Sequence, residues 1–125
     1  MILGALALAG CRGNSSRIVD PLPAGIDLTS AQIVEVRDAN GQVVLTGTFV
    51  DKKAPLTGAD PKAKGLAELE IEKVGTGLKQ EIEANVENLP ASATFKLIVD
   101  GKEVATFMTS DGGNRAMKYT RKDGA

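Results

Sequence analysis

Glutamates recurring at alternate positions in two neighbouring segments form the densest set of reactive side chains in this chain. Glu68, Glu70 and Glu72 lie in 66–74, and Glu81, Glu83 and Glu87 in 78–87. Carboxylates at such density suit two kinds of chemistry. One is acid–base catalysis by a pair with unequal pKa values, which needs a groove and a raised pKa on one partner. The other is ligation of a hard divalent cation, with Glu68, Glu70, Glu72, Glu81 and Glu83 as candidate metal ligands for calcium. Glutamate at alternate strand positions more often means a solvated face, and calcium sites usually draw on loop oxygens. Histidine is absent, which removes the commonest general base and the commonest zinc ligand. Ser15, Ser16, Ser30, Ser92 and Ser110 lie outside any Gly-x-Ser-x-Gly elbow that would expose a nucleophile. The expectation is a protein that is not an enzyme and holds no cofactor.

A second charged set is basic. Lys52, Lys53, Lys62 and Lys64 fall in the stretch from Asp51 to Lys64, with Pro55 and Pro61 between them. A connection of that length in a compact domain is either a crossover between sheets or a functional loop. In the second case the four lysines are a contact surface for an envelope protein or an anionic envelope polymer. Overall, 15 basic side chains face 16 acidic ones, for a net charge of −1. Nucleic-acid binders need concentrated positive charge, so nucleic acid is excluded as a partner. With no Trp and one Tyr, Tyr119, the chain lacks the aromatic platform on which sugar rings stack. Glycan binding would have to use polar groups.

The elements that position these residues show a period of two from about residue 31 onward, the alternation of half-buried strands. Asn40-Gly41 reads as a two-residue type I′ hairpin turn, pairing Val36 with Leu45, Val34 with Gly47 and Gln32 with Phe49. Ala67, Leu69 and Ile71 alternate with the first glutamates, and Leu78, Ile82, Ala84 and Val86 with the second. Phe95, Leu97 and Val99 lead into a turn at Asp100-Gly101, and Met117 and Tyr119 mark a last strand. About seven strands with little or no helix predict an all-β fold, an antiparallel immunoglobulin-like β-sandwich over 29–125. A tight turn at Thr76-Gly77 would oppose Glu72 to Glu81 and Glu70 to Glu83. Slipping to a four-residue loop gives Glu72–Lys79 but leaves Glu70–Glu81 and Glu68–Glu83. Like charges directly opposite are destabilising by some tenths of a kcal/mol. A bulge near Gly75 or Gly77, lysine from a neighbouring strand, or a bound cation would relieve them.

Residues 2–10 are apolar or small and lead into the lone cysteine, Cys11, through Leu8-Ala9-Gly10. No Lys or Arg precedes the run, where a secretory leader ordinarily carries one. Leu8-Ala9-Gly10-Cys11 resembles the lipobox of bacterial lipoproteins. The resemblance implies a signal peptide over 1–11, lipidation of Cys11 and attachment to a membrane through that lipid. Residues 12–28, rich in Gly, Ser, Asn and Pro, then read as a flexible tether. Arg12 follows the cysteine in place of the Asp associated with inner-membrane retention, so the family's sorting rule implies the outer membrane in a two-membrane bacterium. From Gly65 to Arg121, about half the chain resembles a loosely defined group of bacterial envelope domains without assigned function. The pieces are Gly65-Leu66-Ala67-Glu68-Leu69-Glu70, Val86-Glu87-Asn88-Leu89-Pro90-Ala91 and Ile98-Val99-Asp100-Gly101-Lys102-Glu103-Val104-Ala105-Thr106.

Together these readings give a lipid-anchored, monomeric β-sandwich of the cell envelope, a structural or protein-interaction module. The alternative is a calcium- or polar-glycan-binding envelope protein that uses the acidic strand face.

Overall fold

The structure is a computed structural model that describes residues 17–124. Among these are nine strands and no helix: β1 (Ile18–Pro21), β2 (Ile33–Asp38), β3 (Val43–Thr48), β4 (Lys53–Thr57), β5 (Lys64–Val74), β6 (Gly77–Glu87), β7 (Thr94–Val99), β8 (Lys102–Met108) and β9 (Arg115–Asp123). All join one curled sheet in the order β1-β9-β6-β5-β4-β3-β2-β7-β8. Neighbours are antiparallel except β1, which runs parallel to β9, so the sheet is mixed.

The period of two buries one residue in two along most strands. Val34, Val36, Leu45, Ile82, Leu97 and Met117 are fully buried, and they belong to a single core with Phe95 and Tyr119. Tyr119 and Met117 share the inner face, as their spacing requires.

Two of the nine strands lie where none was expected. Residues 17–28, taken from sequence as part of a tether, are built into the domain. The β-branched pair Ile18-Val19 extends along β9, with Ile18 beside Met117, and Pro21 is tolerated because β1 is an edge strand. Leu22, Ile26 and Leu28 are then buried against the core. The stretch 51–64 likewise contains β4. Asp51 and Lys52 both adopt left-handed φ (52° and 68°), closing a two-residue turn without glycine. Val50 and Lys53 exchange backbone bonds of 2.8 and 3.1 Å across it.

β3 and β4 share only the ladder pair Thr46–Thr57 beyond that bridge. Continuing the register sets Pro55 opposite Thr48, where proline has no N–H to donate. The strands still lie close: a Cβ on Gly58 would fall 1.9 Å from the Val44 carbonyl oxygen.

The expected pairings Val36–Leu45 and Val34–Gly47 are present, and Phe49 N–H donates to Gln32 O at 2.8 Å. The turn between them differs from the expected type I′ form. Only Gly41 is left-handed (φ 85°), and Asp38 and Gln42 bracket a three-residue loop. The Asp38 carboxylate accepts the N–H of Asn40 at 2.9 Å and of Gln42 at 3.0 Å, which stabilises the longer loop. A register shift between Val36 and Arg37 absorbs the odd residue and keeps both apolar pairs inward. Asp100-Gly101 does form the type I′ turn, with φ of 48° and 82°.

Candidate functional site

β5 and β6, eleven residues each, pair without a bulge from Lys64–Glu87 to Val74–Gly77, closed by Gly75-Thr76. This is the slipped register, reached with a two-residue turn in place of the expected four-residue loop: Glu72 faces Lys79, Glu70 faces Glu81 and Glu68 faces Glu83. The other register would have set Lys79 opposite Val74 and left two glutamate pairs without it. In the observed register Lys79 lies beside one of the two opposed glutamate pairs.

Relief of the like-charge pairs comes from basic side chains around them. One row across the outer face reads Lys53, Glu68, Glu83, Lys118 over β4, β5, β6 and β9. Lys53 Nζ lies 3.8 Å from Glu68 Oε2, and Arg17 is ion-paired with Glu83. In the next row Lys79 Nζ sits 3.6 Å from Glu70 Oε1 and 3.7 Å from Glu81 Oε1, bridging the opposed pair. Glu81 keeps only 9 % of its side chain exposed against 56 % for Glu70. The Lys79 ammonium is held above the usual lysine range by Glu81 first and Glu70 second.

Of the five candidate metal ligands, Glu68, Glu70, Glu81 and Glu83 surround one shallow hollow, and Glu72 lies a row away opposite Lys79. Among the described residues no group of three or more His, Cys, Asp or Glu side chains is placed to hold a metal ion. What the arrangement does physically is balance charge along a long ladder. Isolated exposed pairs of this kind stabilise little, but a linked set fixes register and keeps the face hydrophilic.

The four candidate contact lysines are not one patch. β4 separates them, with Lys52 and Lys53 at its turn with β3, and Lys62 and Lys64 at the other end of the sheet. Lys53 is engaged with Glu68, and Lys64 stands opposite Glu87. Asp60 accepts the Lys62 N–H at 2.9 Å, and the Lys62 carbonyl accepts Asn88 Nδ2 at 3.0 Å. Cys11 lies outside the described residues.

Sequence reasoning missed Arg17 and Lys118 as partners of the acidic face, because the parallel pairing of β1 and the β6–β9 register (Glu83 opposite Lys118) join distant segments. The signal for β1 was the Ile18-Val19 pair just before Pro21. Among the described residues no helix is long and apolar enough to cross a membrane. No protein-family model, curated protein or solved structure matches this chain. Its function is therefore read from its own residues.

Proposed function

We propose that this chain is a lipid-anchored protein of the bacterial cell envelope, acylated at Cys11. Its β-domain acts as a structural or protein-interaction module without catalytic activity. The observation that carries the reading is Leu8-Ala9-Gly10-Cys11, small residues and a lone cysteine at the end of an apolar run. The absence of histidine and the charge-compensated ladder support a non-catalytic role.

For the domain we propose an immunoglobulin-like sandwich. The narrow β3–β4 junction supports it, since one ladder pair and one bridge connect β1-β9-β6-β5-β4 to β3-β2-β7-β8 around a common core. Arg12 after the cysteine supports sorting to the outer membrane where two membranes exist.

Mass analysis of the chain isolated from membranes of its native host tests the anchor. The expected N-terminal residue is Cys11, heavier by its acyl chains. An unmodified Cys11 still preceded by Met1–Gly10 would overturn the proposal.

A further inference from the structure

β1 determines the end of the sheet at which the chain enters. It runs parallel to β9, Ile18 beside Met117, and β9 begins where β6 finishes, Arg115 beside Val86. Ile18 therefore lies at the end that carries connections 39–42, 58–63, 88–93 and 109–114. The opposite end carries 22–32, 49–52, 75–76 and 100–101.

β1 is paired with β9 from Ile18 onward, and Arg17 just before it is ion-paired with Glu83. Cys11 is six residues before it, a span of at most about 20 Å fully extended. The β5–β6 ladder, eleven residues long, measures about 35 Å at roughly 3.4 Å per residue. Ile18 is level with Met117 and Ala84, which puts Arg17 eight residues from Gly77 along β6, so if the opposite end touched the surface holding Cys11, Arg17 would stand about 27 Å from that surface. The tether is too short for that.

We infer that the end of the domain carrying 39–42, 58–63, 88–93 and 109–114 faces the lipid bilayer and is held within about 20 Å of it. The inference rests on the proposed attachment at Cys11. The surface chemistry of this end suits a lipid headgroup layer. Val43 and Met108 are exposed there by 47 % and 52 %. An apolar groove lined by Val44, Ala59, Ala63 and Leu89 adjoins Val43. Asp38 and Asp60 accept backbone N–H groups, Asp111 accepts the Ser92 hydroxyl at 3.0 Å, and the exposed Glu87 stands opposite Lys64. Lys62 is exposed and makes no ion pair among the described residues.

The test couples the full chain through the thiol of Cys11, its only cysteine, to phosphatidylcholine vesicles carrying a maleimide-headgroup lipid. A water-soluble amine-acylating reagent is then added, and lysine modification is read by mass spectrometry against the same protein free in solution. Lys62, at the inferred lipid-facing end, should react several-fold more slowly on vesicles. Lys52 and Lys73, exposed at the opposite end, should react at their solution rates. Equal slowing of all three, or greater slowing at Lys52 and Lys73, overturns the inference. Because this anchor is chemical, failure of orientation is read separately from failure of Cys11 to be acylated in the host.

Discussion

Gln80 Oε1 accepts the backbone N–H of Leu28 at 2.6 Å, and both residues are buried. The bond ties the segment crossing between β1 and β2 to the middle of the sheet, and gives a partner to an N–H that water cannot reach. Gln80→Leu removes the acceptor and keeps the bulk. It should lower unfolding free energy by about 1–3 kcal/mol, the penalty of a buried unpaired donor. Urea denaturation measures this as a lower midpoint at unchanged slope. An unchanged midpoint would mean that Leu28 finds another acceptor.

Seven of the strands were legible because each alternates apolar and polar residues between recognisable turn residues. β1 and β4 were not, for separate reasons. Ile18–Pro21 has only four residues and a proline, and its pairing with β9 spans nearly the whole chain. Lys53–Thr57 follows a turn whose left-handed residues are Asp51 and Lys52, where the usual signal is glycine. The acidic ladder was legible to within two registers. Only the spatial pairing decides between them and shows that Lys79 bridges Glu70 and Glu81. Gln80 lies among the inward residues of β6, and its side chain holds Leu28.

Lys79→Met takes away the cation between two opposed carboxylates, one of them nearly enclosed. Thermal unfolding should occur at lower temperature than in the parent. Adding Glu81→Gln to Lys79→Met should recover part of the loss, because one of the facing charges is then gone. A double-mutant cycle of melting curves reads the coupling. Strict additivity would show that Lys79 acts through packing of its stem rather than through charge.

Tyr119 supplies the pH dependence. Burial, with a smaller contribution from Asp20, pushes its phenol up to about 12 from an ordinary value near 10. A raised folded-state pKa on an acid that is neutral when protonated stabilises the fold fully below pH 10. That contribution fades as pH rises from about 10 to about 12, and in the limit amounts to roughly 3 kcal/mol. Since Tyr119 is the only tyrosine and there is no tryptophan, phenolate absorbance reports it alone. It should appear near pH 12, or together with alkaline unfolding. A simple titration near 10 with the fold intact would contradict the burial.

Cys11 is the proposed point of membrane attachment, and replacing it separates an anchored chain from an unanchored one. The parent and a Cys11→Ser variant are expressed in the native host, and each lysate is separated into detergent and aqueous phases. The parent should enter the detergent phase and the variant the aqueous phase, because acyl chains bury about 0.8 kcal/mol per CH₂ and the serine carries none. If both chains partition identically into the aqueous phase, Cys11 is not an anchor, and the envelope localisation falls with it.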